Sequence, residues 1–139
     1  YVGDMDRSVT AFNLEAGEIL WNYKPKSFPY FSSPALSDSH VFIGGRDKGM
    51  HCIDRVDGKQ VWRFSARGRI DSSPVITKEK VVFGAMDGKL YLVSNKDGKE
   101  VASYEIGEPI SSTPAIVDTK IIVGCEDGNV YAFETKGKK

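Results

Sequence analysis

The sequence lacks the long apolar runs, the excess of one charge and the helical periodicity that several functional classes require. Its apolar runs, such as residues 121–123, are far too short to span a bilayer. Lys plus Arg equals Asp plus Glu at 19 each, so no basic excess is available for a nucleic-acid backbone. No window shows the 3.6-residue period of an amphipathic helix. These absences predict an all-β chain that neither binds nucleic acid nor inserts into a membrane.

Cysteine is scarce, and motifs for metal binding or nucleophilic catalysis are missing. Cys52 and Cys125 lie far apart and are interpreted as small buried hydrophobic residues, with a disulfide as the open alternative. His51 stands where other copies of the repeat have Tyr, which favours a packing role. No His-x-x-His, Cys-x-x-Cys or Gly-x-Ser-x-Gly pattern occurs. The sequence therefore predicts no catalytic residue, metal or cofactor in this segment and favours a non-enzyme.

A forty-residue repeat runs through the chain. A Ser-Ser/Thr-Pro step, a glycine and an aspartate all recur at this spacing: Ser32-Ser33-Pro34, Ser72-Ser73-Pro74 and Ser112-Thr113-Pro114; Gly44, Gly84 and Gly124; Asp47, Asp87 and Asp127. Self-similarity at such a period indicates a repeat architecture. The aspartates follow strand-like runs and recur in every copy, so a turn role is favoured over calcium binding.

Each repeat resembles a four-stranded antiparallel meander. In the second copy, runs at 31–36, 41–43, 50–54 and 60–64 are separated by turn residues such as Asp57-Gly58. The first two strands of a repeat are almost continuously apolar, as in 81–83, which is typical of sheets covered on both faces. Tandem four-stranded sheets covered on both faces predict the blades of a propeller.

Residues 52–62 resemble the tryptophan-docking motif of PQQ-like (quinoprotein dehydrogenase-like) β-propellers, Ala-x-Asp-x-x-Thr-Gly-Lys-x-x-Trp. Residues 11–21 match it again, and residues 92–102 keep its Asp-Gly-Lys but have no Trp. The resemblance implies that the glycine lets a turn lie flat while the indole packs over that turn and against the next blade. The predicted docking residues are Gly17, Trp21, Gly58, Trp62 and Gly98.

Aligned to the repeat, the chain divides into two complete blades, 31–64 and 71–104, and two three-stranded partial blades, 1–23 and 111–134. The partial blades both contain middle strands, so they cannot merge into one. Propellers commonly close with four to eight blades. We therefore expect one segment, 1–139, of a seven- or eight-bladed ring, completed by the remainder of a propeller or by a second copy.

The loops are predicted to carry a binding surface. Blade connections and second-to-third strand hairpins share one end of the sheets and contain cations and aromatic residues. The predicted partner-binding residues are Arg46, Lys48, Arg67, Arg69 and Tyr30. Lys24 and Lys26 add charge there, and the alternative is ordinary solvated loop charge. Asp4, Asp6, Glu126 and Asp127 at the same end weaken any anion site.

The leading hypothesis is a non-catalytic PQQ-like propeller segment that acts as a protein-binding or assembly scaffold. The resemblance implies relatives among bacterial envelope assembly proteins and an extracytoplasmic, periplasmic location. The alternative is a fragment of a PQQ- and calcium-dependent quinoprotein dehydrogenase. Enzymes of that kind use an adjacent cysteine pair, a stacking Trp, calcium and a catalytic Asp, and this chain has no adjacent cysteines. A third possibility is an excised or designed segment without a separate function.

Overall fold

The computed structural model describes residues 1–25 and 28–134. Over these residues the chain forms fourteen β-strands in four antiparallel sheets, and no helix. Consequently no helix among them could cross a membrane. The prediction of an all-β segment with two four-stranded and two three-stranded blades is confirmed.

The strands follow one another in simple meander order, so every blade is built from neighbours in sequence. Blade one contains β1 (Val2–Gly3), β2 (Val9–Asn13) and β3 (Glu18–Tyr23). Blade two contains β4 (Ala35–Leu36), β5 (His40–Gly44), β6 (Gly49–Asp54) and β7 (Gln60–Ser65). Blade three contains β8 (Val75–Ile76), β9 (Lys80–Gly84), β10 (Lys89–Ser94) and β11 (Glu100–Glu105). Blade four contains β12 (Ala115–Val117), β13 (Lys120–Gly124) and β14 (Val130–Glu134).

The repeated serine explains part of the forty-residue signature. Ser32 Oγ donates to the Gly44 carbonyl oxygen and accepts from the Gly44 amide, each at 2.9 Å. Ser112 Oγ donates to the Gly124 carbonyl oxygen at 2.7 Å in the same way. The hydroxyl thus fastens the start of a blade to the end of its second strand, where a buried backbone group needs a partner. Glycine is required at this strand end because a Cβ on Gly44 would collide with Ile70.

The core lies between the blades. We call the interface between successive blades a joint and number the joints one to three. Each joint contains one cluster of buried residues, and the central one includes Phe42, Met50, Cys52, Phe83 and Tyr91. Apolar residues from facing sheets bury one another, so the sheets are stabilised by stacking as well as by their ladders.

The two cysteines differ in environment, and both are free. Cys52 is fully buried in joint two, as predicted, but Cys125 is only partly buried. Its repeat equivalent, Ala85, is fully buried beneath the next connection, whose Ile110 amide donates to the Ala85 carbonyl oxygen. No such connection follows blade four in the described residues, which explains the difference.

Candidate functional site

The blades present two ends with different backbone construction. At one end, which we call the loop face, blade connections bond to the second-to-third strand hairpins, as in Ala66 N to Lys48 O at 2.9 Å. At the other, which we call the turn face, first-to-second strand hairpins bond to third-to-fourth strand turns, as in Asn95 N to Glu79 O at 3.0 Å. Side chains on either face are therefore carried by hydrogen-bonded loops.

Arg46 is held by several partners on the loop face. Its Nε and Nη2 donate to the two carboxylate oxygens of Asp71 at 3.0 and 2.9 Å. The guanidinium carbon lies 3.6 Å from the centroid of the Phe31 ring. Arg69 Nε approaches the same carboxylate at 3.3 Å. Two arginines, one carboxylate and an aromatic ring thus form a cluster, which we call the arginine cluster.

Phe31 remains available to a partner despite this contact. Its side chain keeps 46% of its surface exposed, and Phe28 in the same connection keeps 49%. A cation over an aromatic face contributes about 0.5–1 kcal/mol at exposed sites. The arginine cluster therefore combines an ordered guanidinium with exposed apolar area.

Lys48 and Arg67 are exposed, and neither forms an ion pair with another residue of 1–25 and 28–134. Lys48 sits at positive φ, 67°, in the hairpin of blade two. The Arg67 amide donates to Asp87 Oδ2 at 2.9 Å, which fixes its backbone but leaves the side chain in solvent. Lys26, another cation expected here, lies outside the described residues.

Tyr30 requires a correction, because its side chain faces inward. Only 5% of its surface is exposed, and its ring meets the His51 ring edge-on at a centroid distance of 5.6 Å. Burial raises the pKa of the Tyr30 hydroxyl well above its ordinary value. Tyr30 is thus a packing residue below the loop face, and Phe28 and Phe31 supply the exposed aromatic area instead.

A buried polar network involves Asp47, the residue that follows Arg46 in the hairpin of blade two. His51, fully buried, donates from Nε2 to Asp47 Oδ1 at 3.1 Å, and its Nδ1 lies 3.0 Å from the Tyr23 hydroxyl. Arg63 donates from Nη2 to the Asp47 carbonyl oxygen at 2.8 Å and also pairs with its carboxylate. Burial opposes ionisation of Asp47, but the His51 hydrogen bond and the charges of His51 and Arg63 outweigh it and lower its pKa to about 2.

Each turn aspartate bonds to the side chain four residues after it. Asp87 Oδ2 accepts from the Tyr91 hydroxyl at 2.8 Å, and Asp127 Oδ2 accepts from the Tyr131 hydroxyl at 2.6 Å. In blade two, His51 occupies the position of this tyrosine and bonds to Asp47. The structure therefore gives these aspartates a hairpin-closing role, and the described segments contain no group of three or more His, Cys, Asp or Glu arranged to hold a metal.

The docking residues meet across joints one and two. A Cβ on Gly58 would lie 2.7 Å from Trp21 Cγ, and one on Gly98 would lie 2.6 Å from Trp62 Cε3. Each indole therefore covers the turn glycine of the following blade, rather than the turn of its own motif. Gly17, in the first motif, has nothing within 4 Å of a Cβ position.

Hydrogen bonds fix both indoles in these positions. Trp21 Nε1 donates to the Arg55 carbonyl oxygen at 2.9 Å, and Trp62 Nε1 donates to the Asn95 carbonyl oxygen at 3.1 Å. Their exposed fractions are 8% and 9%. A buried indole needs such an acceptor for its N–H.

The residues present do not fit a PQQ site. Both tryptophans are enclosed between blades, so neither offers a free face on which a quinone could stack. The two cysteines lie in different joints and cannot form an adjacent pair. No step of quinone chemistry is therefore assigned to this chain.

Sequence reasoning missed Asp71 and Arg63, although both organise the loop end of blade two. Asp71 is 25 residues from Arg46, and a single acidic residue in a connection carries no distinctive spacing. Arg63 follows Trp62 on β7, where alternation along a strand predicts an opposite-facing side chain. That alternation was the available signal for Arg63.

The comparisons with known proteins agree on one architecture. A curated relative, "Outer membrane protein assembly factor BamB" of Pseudomonas aeruginosa, is 32% identical over 72 residues, which cover 52% of this chain and 18% of the relative. The crystal structure of BamB from Moraxella catarrhalis matches with a TM-score of 0.84 and 19% identity, over 95% of this chain and 41% of that one. The computationally designed Ika4 protein matches with a TM-score of 0.85 and 17% identity, over 96% and 83%.

The present chain thus spans less than half of either BamB protein. The two structural matches show the β-propeller fold. A family model described as "Outer membrane protein assembly factor BamB" matches residues 5–139, nearly the entire sequence. The chain therefore belongs to this family of PQQ-like β-propeller repeats.

Proposed function

We propose that this chain is part of a protein-binding scaffold of the assembly-factor type and that the loop face contacts the partner. The observation that carries the proposal is the arginine cluster, in which Arg46 is held between the Asp71 carboxylate and the Phe31 ring. The family match supports the class of function.

The arginine cluster is suited to protein recognition because its side chains are ordered before binding. Interface energy is concentrated in a few aromatic and Arg residues, and ordering a flexible side chain on binding costs about 0.5–1.5 kcal/mol. Asp71 and Phe31 already restrict the Arg46 guanidinium. Its remaining donors and the exposed Phe31 face would meet a partner surface that combines carbonyl or carboxylate oxygens with an apolar side chain.

We propose an extracytoplasmic location in a bacterium, with a protein of the cell envelope as partner. The support is the family description, which concerns the assembly of outer membrane proteins. The scaffold would use a rigid stack of sheets to present its loops, an arrangement in which function resides on loops and stability in the strands. Other blades would complete the ring of seven or eight.

Site-specific photocrosslinking in the source organism tests the loop face. A photoreactive phenylalanine analogue is placed at Phe31 in the full-length protein, and at exposed Val56 on the turn face as the matched control. We expect a discrete envelope-protein adduct from position 31 that is absent from position 56. Arg46→Ala combined with the probe at 31 should reduce the adduct about tenfold, because the ordered donor is lost.

Two outcomes would contradict this proposal. Adducts of equal yield and identity from both faces would show no preference for the loop face. Saturable binding of PQQ in the presence of calcium by the full-length protein would instead support the quinoprotein alternative. Isothermal titration of PQQ, with and without calcium, measures this directly, and we expect no saturable heat.

A further inference from the structure

In joints one and two a second aromatic ring lies beside the docking indole. In joint one the Tyr1 and Trp21 ring centroids lie 5.6 Å apart, and in joint two those of Phe42 and Trp62 lie 5.7 Å apart. The two ring-bearing residues in joint two share a cross-strand row, because Phe42 and Trp62 both pair with Cys52. The same place in two joints therefore holds an indole beside a second ring.

Joint three lacks both rings at the corresponding place, although a stacked Tyr-Phe pair lies elsewhere in that joint. The corresponding cross-strand row is Val82, Leu92 and Ala102, so Val replaces the Phe and Ala replaces the Trp. Leu92 is larger than Cys52, but it restores only part of the lost side-chain volume. Aromatic side chains contribute the largest buried areas in a core, so their loss leaves space that neighbouring residues fill incompletely.

A cavity of about 90 Å³ occupies this part of joint three. Its apolar lining consists of Val82 and Leu92 from blade three, which face Ile116 and Ile121 from blade four. Exposed Asp118 also contributes to the lining, so the cavity reaches the surface at the turn face. An aromatic group could enter from that face.

The cavity is too small for a whole metabolite but suits one side chain. Pockets for drug-sized ligands measure about 300–1,000 Å³, and a closed apolar cavity of about 150 Å³ holds benzene. Because this cavity is open on one side, a ring could enter with one edge in solvent. Lys80 and Asp118 at the lining carry opposite charges, which suits the neutral backbone of a peptide better than an ion of either sign.

We propose that joint three is a binding site for an aromatic side chain of a partner polypeptide. The incoming ring would pack on Val82, Leu92 and Ile121, in the position that Phe42 occupies in joint two. The site lies on the turn face, at the opposite end of the sheets from the arginine cluster. The two proposals therefore depend on different residues and can be tested separately.

Methyl NMR of the full chain tests this site, with N-acetyl-L-tryptophanamide as the probe. We expect saturable shifts at the methyl groups of Val82, Leu92 and Ile121, and about tenfold weaker binding of N-acetyl-L-leucinamide. Free indole is titrated in parallel. If the chain binds free indole but not N-acetyl-L-tryptophanamide, the cavity is closed to a polypeptide and the proposal is overturned. Equal affinity for the tryptophan and leucine compounds, or the absence of a saturable shift, would also overturn it.

A filling variant supplies the matched test. Val82→Phe restores the ring that blade two has at Phe42 and should weaken probe binding at least about tenfold. Val61→Phe, at a half-exposed position of blade two, adds the same ring elsewhere and should leave binding unchanged. If Val82→Phe fails to fold, Ile116→Phe adds the ring from the blade-four side of the cavity lining. A folded filling variant that binds as well as the unmodified chain would overturn the assignment.

Discussion

Trp62 on β7 of blade two donates its indole N–H to the carbonyl oxygen of Asn95 in blade three, at 3.1 Å. A single side chain therefore joins the outer strand of one sheet to the turn of the next. Trp21 makes the equivalent bond to Arg55 one joint earlier. The docking motif thus acts between repeats, and its energetic effect should appear as coupling between blades.

We predict that Trp62→Ala lowers the free energy of unfolding by about 3–5 kcal/mol, the range for removing a large buried aromatic side chain. The loss combines the packing over Gly98 with the hydrogen bond to Asn95. Reversible urea denaturation of the chain measures it. Val61→Ala, on the neighbouring exposed position of the same strand, is the control and should change stability by well under half of that amount. A Trp62→Ala protein that unfolds within a few tenths of a kcal/mol of wild type would refute the docking role.

Two glycines provide a comparison of backbone strain with indole contact. Gly17 and Gly98 have nearly the same positive φ, 69° and 68°, and their amides make equivalent turn hydrogen bonds. Only Gly98 lies beneath an indole. Gly17→Ala should therefore cost the left-handed penalty of about 1–2 kcal/mol, whereas Gly98→Ala should cost about 1–3 kcal/mol more through overpacking. Equal losses in chemical denaturation would show that Trp62 does not restrict this position.

The sequence predicted the features that depend on local chemistry. Asp57-Gly58 and similar pairs mark tight turns, and alternating turn and β-branched segments specify a meander without long-range information. Two features depend instead on how a connection crosses from one blade to the next: the inward direction of the Tyr30 side chain and the ion pair of Arg46. Phe31 and Tyr30 are adjacent aromatic residues in one connection, yet one is exposed and the other packs on His51. Composition alone cannot distinguish them.

Asp47 should make the chain sensitive to acid. Its folded pKa of about 2 lies below the ordinary value of 3.8, so its stabilising contribution is complete above about pH 4 and is lost as the pH falls towards 2. A difference of this size corresponds to about 2 kcal/mol. Asp47→Asn should remove that contribution at neutral pH and flatten the pH dependence of stability between pH 4 and 2.

The exposed Asp57 is the matched control for this measurement. It pairs with Lys59 at 2.7 Å, but both side chains are largely in solvent, where water and salt weaken the interaction. Asp57→Asn should therefore keep the acid sensitivity of the wild type. Urea denaturation midpoints from pH 2 to 7 measure this for both variants. If the midpoint of Asp47→Asn depends on pH in the same way as that of the wild type, the assigned role of the buried network is contradicted.

The two cysteines should react with alkylating reagent in a fixed order. Cys52 is fully buried in joint two, and burial raises the pKa of its thiol to about 12, so access and thiolate population both oppose reaction. Cys125 is partly exposed near the connection before blade four. Iodoacetamide at pH 8 should modify Cys125 in the folded chain and Cys52 only when joint two opens.

Peptide mapping by mass spectrometry measures both sites, and Trp62→Ala should accelerate Cys52 labelling because its indole closes the same joint. Labelling of Cys52 at the rate of Cys125 in the wild type would show that joint two is not closed in solution.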